Sequence, residues 1–385
     1  MRPAKILVTG ATGFIGSRLC EMLSLDHRLP YRALVRDYSR AARIARLDPE
    51  LVGGDMADAD SLARAVKGCD AVVNLAHGDD REARSQTARL VEACTRAGVR
   101  RLVHVSSMAV HGPAPGVDVL TEANAPMRRW GEAYSDAKAA AEAVVAAAGR
   151  RGAIETVVLR PAIVYGPYSF FVTPIVGDAR DGVVSLIDGG RGICNAVYVD
   201  DVCEAIVAAL EREDANGGVF LLNGDERMTW RSFITTFADM VDGDKRIHDH
   251  ALEEIAARRR AAQPGARDSI RAAIRLAASP AFHAQLATIE PVGRLIRAGK
   301  ELVSGAIGVE RKLMIKSRFQ GRRADAQADA NAPPPLPSEG RVVREAYRAW
   351  VSNGLAKARL GWTPAHSFAL GAQRTADWMR FARLI

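Results

Sequence analysis

Tyr134 and Lys138 are the side chains whose types and spacing best fit acid–base chemistry. Four residues apart on a helix, they would lie on one face, one turn from each other. A free tyrosine, with a pKa of about 10, is a weak base near neutral pH, and a nearby ammonium group favours its phenolate. The pair could therefore exchange a proton with a substrate oxygen. The alanine-rich stretch through Ala148 contains no proline and predicts a long helix that carries both residues.

A glycine-rich turn near the start of the chain predicts a second part of the site. The apolar run 6–8 is typical of a buried parallel strand, and an apolar-faced helix follows the glycines. Such glycines permit a sharp turn, let backbone N–H groups approach a pyrophosphate, and allow close packing of helix on strand. The helix N-terminus adds unpaired N–H donors. We therefore predict dinucleotide contacts at Gly10, Thr12, Gly13, Phe14, Ile15 and Gly16.

The second predicted strand, residues 31–37, ends where such a fold distinguishes its two cofactors. An acidic residue there binds the ribose 2′-hydroxyl of NAD, whereas an arginine accommodates the 2′-phosphate of NADP. Arg36 comes first and is followed by Asp37, Arg40 and Arg43. We expect NADP with Arg36 as a contact, and NAD is the alternative because Asp37 could serve the hydroxyl.

Three motifs together resemble the extended branch of the short-chain dehydrogenase/reductase superfamily, the NAD-dependent epimerase/dehydratase family. Residues 8–16, Val-Thr-Gly-Ala-Thr-Gly-Phe-Ile-Gly, are similar to its cofactor turn, and Tyr134-x-x-x-Lys138 is similar to its catalytic pair. Residues 106–112, Ser-Ser-Met-Ala-Val-His-Gly, resemble Ser-Ser-x-x-Val-Tyr-Gly with histidine in place of tyrosine. The resemblance spans roughly residues 4–242 and 350–385.

The resemblance implies hydride transfer between a nicotinamide cofactor and a secondary alcohol or ketone. It makes Tyr134 the proton-transfer group, Lys138 a contact of the nicotinamide ribose, and Ser107 a second hydrogen bond to the reacting oxygen. Members that dehydrate sugars carry Asp-Glu after the serine, where this chain has Met108 and Ala109. A sugar dehydratase is therefore disfavoured.

Further cofactor contacts follow from the same resemblance. Asp55 and Met56 correspond to a loop that touches adenine, and Leu75 and Ala76 to a segment that lies along the cofactor. The segment with Pro161, Ile163 and Val164 passes the nicotinamide, and the backbone of residues 162–164 is expected to meet the carboxamide.

Expected substrate contacts are Ser107, Met108, Arg191 and Asn195, with Arg191 suited to a diphosphate. Asp200 and Asp201 are interpreted as structural, with Asp201 as a helix cap. His77 is interpreted as a loop residue because no partner is spaced to make it a catalyst or a metal ligand. No metal site is predicted.

Short apolar strands alternate with helices of about 10–15 residues, which indicates βαβ units. We predict an α/β fold: a Rossmann doubly wound parallel sheet with a smaller C-terminal substrate domain and a mostly helical insertion. The predicted dinucleotide-binding domain consists of residues 1–166 and 193–212. The predicted substrate domain consists of residues 167–192, 213–250 and 346–385. Between its last two parts lies a basic insertion with a proline-rich linker, residues 251–345.

Two substrate classes stay open. A nucleotide sugar, epimerised or reduced at C4, is the first expectation. A non-sugar ketone, as in the hydroxysteroid- or dihydroflavonol-reductase-like branch, is the alternative because Val35-Arg36-Asp37 and Arg160-Pro161 resemble that branch. A third alternative is an NADP-sensing regulator without chemistry, which the intact Tyr-Lys pair disfavours.

Composition places the chain among ordinary soluble proteins. Hydrophobic residues make up 48% and charged residues 25%, and no apolar run reaches the length of a membrane span. The first strand begins too early to leave room for a signal peptide. Five cysteines without Cys-x-x-Cys spacing indicate core residues in a reducing compartment. We expect a cytoplasmic protein.

The positive charge is concentrated in one segment. The chain has a formal net charge of +8, and residues 251–323 alone hold fifteen Lys or Arg against six Asp or Glu. A helical lid or dimer element is the first interpretation, and peripheral contact with the anionic inner face of a membrane is the alternative. Nucleic acid is not expected, since no aromatic residues interleave with the basic ones. A homodimer is expected, because relatives pair through the Tyr-x-x-x-Lys helix, which here carries small residues at Ala139, Ala143 and Ala146.

Overall fold

The chain forms two compact units, one of residues Met1–His250 and Leu336–Ile385 and the other of Ala251–Pro335. The computed structural model describes residues 2–112, 117–124, 128–262 and 334–385. The parts that the sequence assigns to a dinucleotide-binding and a substrate domain lie together in the first unit.

A parallel sheet organises the first unit. The strands of the described residues are β1 (Ile6–Thr9), β2 (Tyr31–Val35), β3 (Glu50–Gly53), β4 (Ala71–Asn74), β5 (Arg101–Val105), β6 (Val119–Leu120), β7 (Glu155–Pro161), β8 (Ile163–Tyr165), β9 (Val183–Ile187), β10 (Ala196–Tyr198), β11 (Val219–Leu222), β12 (Arg246–His250) and β13 (Trp350–Val351). Seven form one parallel sheet in the order β11-β7-β5-β4-β1-β2-β3. The strand order reverses between β1 and β4, and ligands of such sheets bind at the carboxyl ends beside that point. The predicted Rossmann fold is confirmed.

Helices cover both faces of this sheet. The α-helices are α1 (Phe14–Leu25), α2 (Ala42–Ala45), α3 (Ala59–Val66), α4 (Ala83–Arg96), α5 (Ala133–Arg150), α6 (Thr173–Arg180), α7 (Val199–Glu211), α8 (Trp230–Ala238), α9 (Leu252–Ala262), α10 (Glu339–Glu345) and α11 (Phe368–Phe381). Alternate residues of β1 enter different cores: Ile6 and Val8 pack with α1 and α7, and Leu7 packs with α3, α4 and α5. This alternation is the period of two that a strand imposes on its side chains.

Three short strand pairs, β8 with β10, β9 with β12 and β6 with β13, build the region beside the sheet. An aromatic cluster joins this region to the end of the chain. The Tyr165 ring lies 5.8 Å from that of Phe233 on α8 and 5.6 Å from that of Phe368 on α11. The C-terminal helix is therefore part of the core rather than an appendage.

Two acidic residues attach the C-terminal segment to the sheet domain. Asp200 binds the Arg18 guanidinium on α1 at 2.6 and 2.9 Å, and its carboxylate also lies 3.6 Å from the Arg374 guanidinium on α11. Asp201 accepts a hydrogen bond from the Ala365 N–H at 2.9 Å and lies 2.8 Å from Nδ1 of His366. No side chain caps α7. The prediction that Asp201 caps this helix is wrong, because its carboxylate is used by a segment that is distant in the chain.

The second unit contains α9. The rest of the predicted basic insertion, residues 263–333, lies outside the described residues, and the predicted membrane contact lies largely there. Residues 339–345, which the sequence assigned to the insertion, form α10 in the first unit, where the Arg344 carbonyl accepts a hydrogen bond from Nε1 of Trp230 at 3.2 Å.

Two properties of the described residues bear on location and redox state. None of their helices combines the length and the apolar character needed to cross a lipid bilayer. All five cysteines are buried and none is in a disulfide.

A buried ion pair fixes α5 to the sheet. Arg160 on β7 binds both carboxylate oxygens of Glu142, with Nε 3.0 Å from Oε2. Its Nη1 lies 3.1 Å from Nε2 of His111, at the end of the 3₁₀ turn Met108–His111 that follows β5. The three side chains are at most 6% exposed. This network joins the strand, the helix and the turn.

Replacing Glu142 by Gln should lower the free energy of unfolding by about 3–5 kcal/mol, because Arg160 would keep its charge in the interior without a carboxylate. The matched control is Glu92→Gln on α4, whose ion pair with Arg96 at 2.5 Å joins side chains that are 57% and 78% exposed. It should cost less than about 1 kcal/mol. Urea unfolding followed by circular dichroism measures both losses, and equal losses would contradict this role for the buried pair.

Candidate active site

The glycine turn connects β1 to α1 at the carboxyl edge of the sheet. Gly10 has a φ of +68°, which residues with a Cβ rarely adopt. A Cβ at Gly10 would stand 2.6 Å from the carbonyl carbon of Leu75, and one at Gly16 would stand 2.1 Å from the carbonyl oxygen of Gly10. Both glycines are needed for the turn to lie against α1 and the loop after β4.

The N-terminus of α1 is open toward this edge. Gly13 is its exposed N-cap residue, and no side chain hydrogen-bonds to the first-turn N–H groups. Uncapped N–H groups at the positive end of a helix dipole suit a phosphate. The backbone of residues 12–16 therefore has the chemistry to hold the pyrophosphate of a dinucleotide.

A buried polar network supports the loop after β4, which carries Leu75 and Ala76. Oδ1 of Asn74 accepts a hydrogen bond from the Thr9 hydroxyl at 2.7 Å, and Nδ2 of Asn74 lies 3.1 Å from Nδ1 of His104. Desolvation, together with a nearby ammonium group, lowers the pKa of His104 to about 3, so its ring is neutral. The network ties the ends of β1, β4 and β5 together. The sequence did not indicate His104, because a histidine inside an apolar strand has no distinctive spacing.

Arg36, at the end of β2, is an exposed cation at the cofactor edge, and Arg40 in the following turn is also exposed. Arg36 is 72% exposed, and its guanidinium lies 3.8 Å from Asp55. The Asp37 carboxylate is engaged locally: it accepts hydrogen bonds from the N–H and the hydroxyl of Ser39 at 2.9 and 2.7 Å. These bonds lower the pKa of Asp37. Arg43 is engaged in an ion pair with α1.

Helix α5 places the predicted acid–base pair at the same edge. Lys138 is 8% exposed, and its Nζ donates a hydrogen bond to the Val105 carbonyl at the end of β5 at 3.1 Å. Desolvation lowers the pKa of Lys138 to about 8. Nζ lies 6.0 Å from the centroid of the Tyr134 ring, and Tyr134 is 36% exposed. An ammonium group at this distance favours the phenolate.

Ser107 meets Tyr134 from the turn after β5. Desolvation raises the pKa of Tyr134, and the neighbouring Ser107 hydroxyl opposes that rise. Oγ of Ser107 also accepts a hydrogen bond from the Ala109 N–H at 3.2 Å, which fixes the serine at the start of the turn. Ser106 is 3% exposed and contributes no hydroxyl to this edge.

The remaining predicted cofactor contacts lie where β7 passes into β8. Pro161 ends β7, and Val164 lies in β8. The N–H groups of Ala162 and Ile163 donate to carbonyls of neighbouring segments at 2.8 and 3.0 Å. These two donors are already used within the protein, and contact of the other backbone groups of 162–164 with a carboxamide stays a prediction.

Asn195, a predicted substrate contact, is instead part of the interior. It is 2% exposed. Its Oδ1 accepts a hydrogen bond from the Val351 N–H at 2.8 Å, and its Nδ2 donates to the Ala349 carbonyl at 2.9 Å. The side-chain amide fastens the C-terminal segment to the start of β10, which sequence spacing could not indicate.

The other two predicted substrate contacts differ in exposure. Met108 is partly buried and packs against a small apolar cluster that contains Leu120 and Leu221. Arg191 is 71% exposed and forms an ion pair with Asp188. Of the two, the guanidinium is open to a ligand.

His77 lies against the tyrosine, although the sequence indicated no partner for it. The centroids of the His77 and Tyr134 rings are 5.1 Å apart, with the planes at 82°. Nε2 of His77 is 3.2 Å from Oδ1 of Asp80. His77, Met56 and Lys138 line one small pocket beside α5. The His-x-x-Asp spacing could have indicated the pair, but not that the loop would bring it to the tyrosine.

Comparison with known proteins agrees with this geometry. Residues 6–222 match the NAD dependent epimerase/dehydratase family. The 4-hydroxy-2-methyl-3-oxo-4-farnesyl-3,4-dihydroquinoline-1-oxide ketoreductase of Stigmatella aurantiaca is 30% identical over 241 residues, which cover 60% of this chain and 71% of that protein. A 2-alkyl-3-oxoalkanoate reductase of Shewanella oneidensis is 25% identical over 243 residues, which cover 58% of this chain and less than two thirds, 62%, of that protein.

The fold extends the comparison to nearly the full chain. A UDP-glucose 4-epimerase of Thermotoga maritima, solved with UDP-glucose, superposes with a TM-score of 0.67 at 18% identity, over 98% of this chain and 99% of that one. Because the family match alone spans more than half of the sequence, this chain belongs to the NAD dependent epimerase/dehydratase family, in the short-chain dehydrogenase/reductase superfamily, and is an NAD(P)-dependent enzyme.

Proposed function

We propose that the enzyme uses NADP(H) to interconvert a ketone and a secondary alcohol on a small, non-sugar substrate. The observation that carries the proposal is the placement of the Tyr134 and Ser107 hydroxyl groups at one edge of the sheet, next to the buried Lys138. Two hydroxyl groups at one edge can both donate to a carbonyl oxygen that binds between them.

The roles of the chain's own residues follow from this arrangement. A bound nicotinamide supplies the hydride for reduction and accepts it in oxidation. In reduction, Tyr134 donates its proton to the substrate oxygen, and Ser107 donates a second hydrogen bond to the same oxygen as charge develops there. Lys138 stabilises the phenolate that remains. In oxidation, the Tyr134 phenolate accepts the proton of the alcohol.

A non-sugar ketone is the preferred substrate class because two relatives, at 30% and 25% identity, are named as reductases of keto compounds. A further relative, at 30% identity, is named for dehydration, epimerisation and reduction of UDP-sugars. The UDP-glucose epimerase, at 18% identity, supports the fold alone.

A nucleotide sugar is the second candidate, and one observation favours it. Arg191 and Arg348 are 71% and 54% exposed, and both form ion pairs with Asp188. A diphosphate could replace the carboxylate as their shared partner, since guanidinium groups bind phosphate oxygens in pairs.

NADPH consumption, followed at 340 nm, tests the proposed reaction. Wild-type protein should oxidise NADPH with a 2-alkyl-3-oxoalkanoate or a related keto compound and not with UDP-glucose. Tyr134→Phe should lower kcat by about 10²–10⁴-fold, the usual worth of a positioned acid, and leave the NADPH Kd within about twofold because the ring remains.

Two outcomes would overturn different parts of the proposal. Turnover by Tyr134→Phe at the wild-type rate would remove Tyr134 as the acid. Epimerisation of UDP-glucose without net consumption of cofactor would replace the ketone by a nucleotide sugar.

We infer that NADP is preferred over NAD, because Arg36 is exposed at the end of β2 while Asp37 is bound to Ser39. Arg36→Ala should weaken NADPH binding about 10–100-fold, the range for a lost hydrogen bond to a charged group, and leave NADH binding unchanged. Arg96→Ala on α4, also an exposed arginine, is the control. Fluorescence titration measures both affinities, and equal losses for NADPH and NADH would contradict the assignment.

Lys138→Met should change how stability depends on pH. Burial lowers the pKa of Lys138 from 10.5 to about 8. Between about pH 8 and pH 10.5 the unfolded chain therefore keeps the Lys138 proton, whereas the folded chain has lost it. The free energy of unfolding of the wild type should therefore rise with pH in that window, and that of the variant should not. Relative to the variant, the wild type should gain about 2 kcal/mol between pH 7 and pH 9.5. Urea unfolding of the cofactor-free protein at both pH values measures the gain, and a constant difference would show that the ammonium is not buried.

A further inference from the structure

His77 and Asp80 form a polar contact beside Tyr134 that the proposed proton transfer does not use. The imidazole meets the Tyr134 ring nearly at a right angle, with centroids 5.1 Å apart. Its Nε2 lies 3.2 Å from Oδ1 of Asp80. That oxygen is closed off from solvent, and within the described part of the chain it accepts no hydrogen bond, so the His77 ring nitrogen is the polar group set against it. The imidazole therefore holds the carboxylate on the side of the loop that faces α5.

The groups that face Tyr134 act in opposite directions. Lys138 on α5 and Ser107 after β5 favour the phenolate. Asp80, after β4, and Glu132, at the N-terminus of α5, disfavour it.

The two carboxylates are not equivalent. Glu132 is committed to its helix, where it accepts hydrogen bonds from the N–H and hydroxyl of Ser135 at 2.8 and 2.7 Å. Asp80 also faces the Lys138 ammonium and the His77 ring. Asp80 is thus the carboxylate that acts on Tyr134, Lys138 and His77 together.

We propose that Asp80, held in place by His77, is a positioning residue that keeps Tyr134 in its proton-donating form to higher pH, as a ketone reductase requires. The proposal rests on the acid–base role proposed above for Tyr134. Reduction needs a phenol that still carries its proton, and a neighbouring carboxylate makes a second negative charge costly. The same carboxylate favours the ammonium form of Lys138, which stabilises the phenolate only after the proton has been donated.

Ultraviolet absorbance of tyrosinate at 295 nm tests the proposal without any substrate. The chain has seven tyrosines, so the signal of Tyr134 is the difference between each protein and its Tyr134→Phe counterpart. At pH 9.5 Lys138, with a pKa of about 8, is largely neutral in every variant. Asp80→Asn should lower the pKa of Tyr134, and the ratio of phenolate to phenol at this pH should rise about tenfold.

Asp79→Asn is the matched control. Oδ1 of Asp79 accepts a hydrogen bond from the Arg81 N–H at 2.9 Å, which an asparagine retains, and the charge change is the same one residue away. This variant should leave the Tyr134 signal unchanged. His77→Phe should raise the ratio of phenolate to phenol of Tyr134 by about threefold or more. In this variant Asp80 would lose the contact with the imidazole, while an aromatic ring remains against Tyr134.

If circular dichroism shows that Asp80→Asn does not fold, Asp80→Ser replaces it with the same expected increase. No increase in the folded variant, or an equal increase in Asp79→Asn, would overturn the proposal. The absorbance result does not depend on turnover, so it stands even if no keto compound is reduced. Where one is reduced, the alkaline limb of kcat/KM should shift down by about one pH unit in Asp80→Asn, and an unshifted limb would contradict the role assigned to Asp80.

Discussion

Lys138 donates a hydrogen bond from the interior to the Val105 carbonyl at the carboxyl end of β5. An ammonium group this deeply buried loses most of its hydration, which is why its pKa falls to about 8. The packing of α5 against the sheet must offset that cost. The same contact sets the position of α5 along β5. Tyr134, four residues before Lys138 on this helix, then lies beside the Ser107 hydroxyl, at the start of the 3₁₀ turn that follows β5.

The same helix is fixed a second time, one turn further from its N-terminus. Glu142 pairs with Arg160 on β7, and Arg160 also reaches His111, the last residue of the turn that Ser107 begins. Helix, strand and turn are therefore joined on both sides of the reacting groups. The His111 imidazole nitrogen, 3.1 Å from the Arg160 guanidinium, thereby ties the far end of the turn to β7.

The parts of the site that lie close together in the chain were predictable. The glycine turn, with its need for a close approach at Gly10 and Gly16, and the Tyr134–Lys138 pair follow from local backbone geometry and the period of a helix. The contacts that depend on distant segments were not predictable. Asn195 and Asp201 are held by residues near the end of the chain, and His77 reaches Tyr134 through the loop after β4. Local spacing carries no information about such contacts, since the same residue types also occur as solvated loop residues or helix caps.

The central claim is that Ser107, Tyr134 and Lys138 act as one unit on a single oxygen atom. A double-mutant cycle on kcat/KM, with Ser107→Ala and Tyr134→Phe and the keto compound that the wild type reduces best, tests it most directly. If the residues act together, the double variant should be no more than about threefold worse than Tyr134→Phe alone, as for other catalytic units. Losses that multiply would show that the two hydroxyl groups act independently and would contradict the account.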